Sequence, residues 1–163
     1  MITKFLPTFK VFEVNNLVGL RNGHILAQMK ADVDNIAKET RGTVDFVENG
    51  IILGLDAAGT ISNYDPAKHK QPFVHYTEEI LEFLPELKYF ACPIEDGVVY
   101  PRAIGLYVGD TFTTNNYTGT GAYAKVVDGK LTLQEGAEGA IFAATASTLP
   151  DGSTACEFLY LGV

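Results

Sequence analysis

Short apolar segments separated by glycine turns make up most of this chain. Five turns pair asparagine or aspartate with glycine between apolar runs: Asn22-Gly23, Asn49-Gly50, Asp96-Gly97, Asp128-Gly129 and Asp151-Gly152. Such pairs favour two-residue hairpin turns, because both positions accept a positive φ. Short strands at turn spacing predict a mainly β fold, either an antiparallel β-barrel or a sandwich of short hairpins, rather than βαβ units.

The alternation of apolar residues predicts a register for two of these hairpins. In residues 43–55, a turn at Asn49-Gly50 places Phe46 opposite Leu53. Apolar residues fall on both faces there, which predicts a central strand pair. Residues 123–127 and 130–134 pair across Asp128-Gly129 and give one apolar face.

The remaining turns predict three further strand pairs. Residues 140–147 and 154–161 flank the turn at 149–152, and residues 87–94 pair with 98–100 around Asp96-Gly97. Residues 17–29 predict a hairpin at Asn22-Gly23, with a helix as the competing interpretation, which two glycines disfavour. An apolar strand over 103–108 precedes a polar loop over 109–121.

Two segments depart from the strand pattern and predict short helices. In residues 31–40, Val33, Ile36 and Ala37 recur at helical spacing after a possible Asp32 cap, and a glycine follows. In residues 77–84, Thr77 suits a cap and a proline follows the last turn. The pattern therefore predicts a single β-rich domain over 16–163 with one or two short helices, preceded by an N-terminal arm or edge strand over 1–15.

The composition limits which cellular environment and which classes of binding partner are expected. The net charge of −8 predicts no binding to nucleic acid or to anionic membrane surfaces. Charged residues and a proline interrupt the first fourteen residues, so no signal peptide is predicted, and no apolar run is long enough to span a bilayer. Synthesis in a cytoplasm is the default, with Cys92 and Cys156 as buried, reduced thiols.

The sequence contains no motif typical of a catalytic or cofactor site. Asp65, His69 and His75 lie close together, but loop composition and a proline between them disfavour convergence on a metal. No nucleophile elbow or phosphate-binding glycine loop occurs. We therefore predict no enzyme activity, no cofactor and no metal.

Two segments together carry a resemblance to a known class of proteins. One is VGDTFTTN (108–115), preceded by Tyr-Pro-Arg and followed by a hairpin; the other is VENGIIL (47–53) with FVHYTEE (73–79) after it. The arrangement resembles virion structural proteins of tailed bacteriophages, most of all capsid decoration, or head auxiliary, proteins. The resemblance spans residues 16–163, and it rests on strands and turns, so it transfers no functional residues.

The resemblance implies a non-enzymatic protein that binds the outer capsid lattice and stabilises the head. It implies the major capsid protein as partner, a homo-oligomer such as a trimer on the capsid, and a location on the virion surface. The arm and the 109–121 loop are the expected contact elements. Candidate contact residues are the aromatics Phe5, Phe9, Phe12, Phe112 and Tyr117.

Two other functions fit the sequence. One is a tail, collar or baseplate component of the same kind of particle. The other is a carbohydrate-binding β domain, in which exposed aromatics and residues 113–120 form the platform. The absence of tryptophan weighs against the carbohydrate interpretation, because exposed tryptophan commonly stacks on sugars.

Overall fold

A computed structural model describes residues 16–20, 28–77 and 92–163, together with the backbone of 13–14 and 79–80. All regular structure in these residues is β-strand. In chain order the strands are β1 (Glu13–Val14), β2 (Leu17–Val18), β3 (Glu39–Arg41), β4 (Val44–Phe46), β5 (Ile52–Leu55), β6 (Ile61–Asn63), β7 (Phe73–His75), β8 (Glu79–Ile80), β9 (Ala103–Gly105), β10 (Thr111–Thr114), β11 (Tyr117–Gly119), β12 (Tyr123–Val127), β13 (Lys130–Gln134), β14 (Phe142–Thr148) and β15 (Thr154–Tyr160). The fold is mainly β, as the turn pattern predicts.

Two sheets form the body of the molecule. The larger has seven strands in the order β11-β13-β12-β14-β15-β10-β2, and every pair is antiparallel except β11 with β13. The smaller has four antiparallel strands in the order β6-β5-β7-β9. Two strand pairs, β3-β4 and β1-β8, lie outside them. The described strands form no closed barrel, so the sandwich is the architecture consistent with the structure.

The main core lies between the two sheets. Phe112, Phe142 and Phe158 of the larger sheet pack ring against ring, with centroids 5.6 to 6.2 Å apart. Ile52 and Val74 of the smaller sheet belong to the same buried cluster. Aromatic side chains of this size supply most of the apolar area that a core removes from water.

The smaller sheet is buried on both faces. Ile52 faces the main core, whereas its neighbour Leu53 belongs to a second buried cluster with Ile61, Val99 and Ala103. Both side chains are fully buried. The apolar residues on both faces of this segment therefore do mark a central strand, since β5 lies between β6 and β7.

The two C-terminal hairpins form as predicted. In β12–β13, Val126 pairs with Leu131 and Ala124 pairs with Leu133. Asp128 and Gly129 both have positive φ, 49° and 79°, as a type I′ turn requires. β14 and β15 pair along seven residues, from Phe142 with Tyr160 to Thr148 with Thr154.

The hairpin predicted at Asn49-Gly50 is wrong, although the turn itself is present. β4 pairs with β3, and Phe46 makes a bridge to Pro93, so β4 does not pair with β5. β5 pairs instead with β6 and β7. The turn therefore carries the chain from one strand pair into a different sheet. A local turn signal specifies the reversal but not the partner of each strand.

The helix predicted over 31–40 is also wrong. Backbone groups of this segment bond to the edge of β6: Ile61 N–H donates to the Lys30 carbonyl, and Asp32 N–H donates to the Ile61 carbonyl. The Asp32 carboxylate accepts the Asp34 N–H, so this residue starts a turn rather than a helix. These bonds use backbone groups that a helix would bond internally, and residues 39 and 40 belong to strand β3.

The polar loop predicted over 109–121 contains two strands. β10 lies between β15 and β2 in the larger sheet, and its residues Phe112, Thr113 and Thr114 are buried. β11 forms the parallel pair with β13. Threonine is β-branched and suits a strand, so the polar composition misled the prediction.

Other predictions fall partly or wholly outside the described residues. Glu79–Ile80 of the helix predicted over 77–84 is strand β8, which contradicts the helix there, and residues 78 and 81–84 lie outside the description. The Asn22-Gly23 turn and residues 1–12 of the arm also lie outside it. Around Asp96-Gly97, the predicted reversal is confirmed by the bridge between Glu95 and Val98.

Candidate functional site

A buried polar network connects the larger sheet to the smaller one at the Asn49 turn. The Asn49 side chain accepts a hydrogen bond from Thr77 N–H (2.8 Å), and its amide donates to the Thr77 carbonyl (2.8 Å) and to Asn16 Oδ1 (3.0 Å). The Asn49 carbonyl accepts from the Asn116 amide at 2.7 Å. Glu48 Oε1 accepts hydrogen bonds from the Asn16 amide at 2.9 Å and from Asn49 N–H at 2.7 Å. We call Asn16, Glu48, Asn49, Thr77 and Asn116 the Asn49 junction. The Asn49 side chain makes all of its bonds within the fold, which makes the junction structural.

Buried His69 and half-buried Asp56 form a second polar pair. His69 Nδ1 accepts the Asp65 N–H at 2.9 Å, so the ring proton is on Nε2, which donates to Asp56 Oδ1 at 2.7 Å. Burial alone raises the pKa of Asp56, but hydrogen bonds from His69 and Ser62 outweigh it and hold that pKa below its usual value. Both ring nitrogens of His69 are occupied, so the pair holds two loops together and offers no free base.

Gly54 provides the space that the His69 ring occupies. A Cβ at position 54 would lie 2.2 Å from the ring, which is held by both of its nitrogens and cannot shift freely. We expect Gly54→Ala to lower the free energy of unfolding by about 2 kcal/mol through overpacking. Denaturant unfolding measures this. Gly136→Ala is the control, because a Cβ there meets no atom within 4 Å; equal stabilities of the two variants would contradict the packing argument.

His75 is fully buried in β7. Burial lowers the pKa of His75 to about 4, and the nearby Arg102 guanidinium acts in the same direction, against partial opposition from backbone hydrogen bonding. Its Nδ1 lies 3.0 Å from the Arg102 carbonyl oxygen and 3.2 Å from the Arg102 nitrogen, whereas Nε2 is buried without a hydrogen bond in the described part of the chain. At neutral pH the ring is therefore uncharged and inaccessible to a substrate.

The two cysteines are buried in different clusters, as unbridged thiols. Cys92 belongs to the second core cluster, and burial raises the pKa of its thiol to about 11. Cys156 belongs to the main core and hydrogen-bonds with Tyr117, which raises the pKa of the Tyr117 hydroxyl. A thiol that stays protonated at neutral pH is a poor nucleophile, so Cys92 is suited to packing.

A groove of about 1150 Å³ runs beside the β12–β13 turn and the 32–38 segment. Five aspartates and three lysines line it. Lys68 lies 3.9 Å from Asp65, and Lys130 lies 3.9 Å from Glu39, so part of this charge is compensated within the molecule. Across 16–20, 28–77 and 92–163, no group of three histidine, cysteine or acidic side chains is placed to hold a metal ion.

An exposed apolar surface lies where the 107–109 segment meets the end of β15. It consists of Tyr107, Val108, Leu161 and Val163, which are 60 %, 71 %, 44 % and 71 % exposed. Gly109 N–H donates to the Tyr160 carbonyl at 2.9 Å, and a Cβ on Gly162 would lie 3.2 Å from Val108 Cγ2. These contacts hold the two segments side by side. We call this surface the Val108 patch.

The structure places the predicted contact residues in different environments. Phe112 is 1 % exposed and packs against Phe142 and Phe158, so its ring contributes to the core rather than to a surface. Tyr117 is half-buried, with its ring against Phe158. Phe5, Phe9 and Phe12 lie outside the described residues.

No protein-family model, curated protein or solved structure matches this chain. Within the described residues, no helix has the length and apolar character needed to cross a membrane. The Val108 patch is the surface that the sequence reasoning missed; its signal was an apolar Tyr107-Val108 pair just before the Gly109-Asp110 turn.

Proposed function

We propose that this protein is a non-enzymatic bacteriophage structural protein that binds the outer surface of an assembled capsid and stabilises it. The observation that carries this proposal is the Val108 patch, which places four exposed large apolar side chains on two adjacent segments of a strongly acidic protein. The resemblance of residues 108–115 and 47–53 to capsid decoration proteins supports the same assignment. The expected partner is the major capsid protein.

The chemistry of the patch suits contact with a protein. Tyrosine is enriched at protein interfaces, because its ring combines apolar area with a polar tip. In the 107–109 segment Tyr107 is 60 % exposed and Val108 is 71 % exposed. At the other segment Val163 is as exposed as Val108. Exposed large apolar side chains grouped on adjacent segments are typical of interaction surfaces. The patch would form the centre of an interface, and the polar residues around the patch would form its rim.

Stabilisation of a capsid follows from binding the assembled lattice and not free subunits. Binding free energy then adds to particle stability by mass action. A specific contact needs roughly 1,000 Å² of buried surface in total, which is more than four side chains provide. The arm residues Phe5, Phe9 and Phe12 remain proposed as additional anchors, and Tyr117 remains a proposed contact through its exposed portion.

Substitution of Val108 tests the proposed surface. We expect Val108→Asp to weaken binding to undecorated phage heads by about tenfold or more, because a carboxylate would be desolvated in the interface. Co-sedimentation with purified heads measures the bound fraction. Val127→Asp is the matched control, because Val127 is also an exposed valine, 43 % exposed, and lies on β12 outside the patch.

The outcomes of this experiment separate the candidate functions. Loss of binding in Val108→Asp, with binding retained in Val127→Asp, supports the capsid assignment through the Val108 patch. Equal binding of both variants rejects the patch as the contact. Failure of the wild-type protein to sediment with heads at micromolar concentration rejects the capsid assignment, and a tail, collar or baseplate location then becomes the next hypothesis to test.

A further inference from the structure

Asn49-Gly50 is a residue pair that is chemically labile in an unfolded chain. The glycine backbone nitrogen attacks the amide carbon of the asparagine side chain and closes a cyclic imide. The side-chain nitrogen leaves as ammonia, taking up the proton that the glycine nitrogen loses. Water then adds to one of the two imide carbonyls and opens the ring to aspartate or to isoaspartate, which has one extra carbon in the main chain. Glycine has no Cβ to hinder the attack.

The fold requires both residues of this pair. The Asn49 side chain joins Thr77 to Asn16 by hydrogen bonds. Gly50 has a φ of 91°, which favours glycine, and a Cβ there would lie 3.2 Å from Asn116 Cβ. The architecture therefore keeps a labile pair at this turn.

The folded state blocks the steps of this reaction. The Asn49 amide nitrogen, which must leave, donates to the Thr77 carbonyl at 2.8 Å and to Asn16 Oδ1 at 3.0 Å. The Gly50 nitrogen, which must lose its proton, donates to the His75 carbonyl at 3.0 Å. Asn49 is 1 % exposed, so solvent has little access to its amide. Cyclisation therefore requires three hydrogen bonds to break and water to enter.

The product of the reaction does not restore these contacts. An ionised aspartate at position 49 only accepts hydrogen bonds, and it would face the Thr77 carbonyl and Asn16 Oδ1, which also accept. The Asn16 amide group already donates to Glu48 Oε1, so turning it toward position 49 would break that bond. The Glu48 carboxylate also accepts the Asn49 N–H at 2.7 Å, which places two negative charges close together in a buried region.

We propose that Asn49-Gly50 is a deamidation site that folding closes, so that the fold protects a residue on which it depends. A chain that folds soon after synthesis keeps Asn49. A chain that stays unfolded converts Asn49 and then lacks the contacts that join Asn16, beside β2, to the segment after β7. The modification therefore separates chains irreversibly according to the time that they spend unfolded.

Peptide mapping by mass spectrometry measures conversion of Asn49 in the full-length protein at mildly alkaline pH, in buffer and in urea. Asn22-Gly23, the second Asn-Gly pair of the chain, is the reference in urea, and a synthetic peptide of residues 45–54 is the reference in buffer. We expect Asn49 to react as fast as the references when the chain is unfolded. In the folded protein we expect it to react about a hundredfold or more slowly than in the peptide, because only molecules that open react. A smaller reduction overturns the proposal.

Asn49→Asp tests the consequence of the modification, because it introduces the side chain of one product. We expect the folding equilibrium constant to fall about thirtyfold or more, since buried acceptors lose their donor, and urea unfolding at neutral pH measures this. Asn115→Asp is the matched control, because it makes the same change of charge at an exposed asparagine. An Asn49→Asp variant that does not fold, beside a folded control, supports the proposal. Equal stabilities of the two variants overturn it.

Discussion

Replacing Asn49 with alanine is expected to lower the free energy of unfolding by about 3 to 5 kcal/mol. Asn49 is 1 % exposed, and its side chain makes three hydrogen bonds, two to the Thr77 backbone and one to Asn16. Alanine removes all three and leaves their partners without a replacement. A buried polar group that loses its partner costs about 1 to 3 kcal/mol. The loss is cooperative, because the same residues hold β2, the 48–50 turn and the segment after β7 together.

Urea unfolding of Asn49→Ala and wild type, followed by circular dichroism, measures the difference in free energy. Asn115→Ala is the matched control, because Asn115 is an exposed asparagine and its substitution should change stability by less than about 0.5 kcal/mol. A loss of less than about 1 kcal/mol in Asn49→Ala, comparable to the cost of one ordinary hydrogen bond, would refute the role of the junction.

The parts of the fold that sequence reasoning predicted are those that local chemistry determines. The β12–β13 hairpin is specified within twelve residues: Asp128 and Gly129 accept positive φ, and the alternation fixes Val126 opposite Leu131. The β14–β15 hairpin also has its turn, residues 149–152, directly between its two strands. In each case the turn and the two strands are adjacent in sequence, so no distant partner competes.

The errors arise where a distant contact overrides a local preference. Asn49-Gly50 is a turn, but the Asn49 side chain bonds to Thr77 and Asn16, so the strands beside the turn enter different sheets. Residues 31–40 have helical spacing, yet Asp32 and Asn35 bond to the edge of β6, and residues 39 and 40 pair with β4. Neither partner can be identified from a window of ten residues.

The candidate surfaces were less predictable than the fold. Phe112 and Tyr117 stood in a polar stretch and suggested exposed anchors, but the strand β10 places Phe112 in the core. Val108 is the last residue of the apolar strand predicted over 103–108, yet it is 71 % exposed. Exposure depends on which strands cover a segment, and composition does not carry that information.

His75 should make the stability of the protein depend on pH between about 6.5 and 4. In the unfolded chain the imidazole takes up a proton at its ordinary pKa of 6.5, whereas in the fold its pKa is lowered to about 4. As the pH falls through this interval, the unfolded chain binds more protons, so unfolding is favoured. The His75 contribution is fully present above pH 6.5, and by pH 4 about 3 kcal/mol of stability is lost.

Denaturant unfolding of wild type and His75→Asn at several pH values between 7 and 4 checks this prediction. Asparagine keeps an acceptor near the Arg102 N–H but does not titrate, so the variant should be less stable at pH 7 and should lose much less stability on acidification. The lowered pKa values of Asp56 and Asp151 do not obscure the result, because those carboxyls affect stability only below about pH 4. Parallel pH profiles for the two proteins would show that His75 is not the group that titrates.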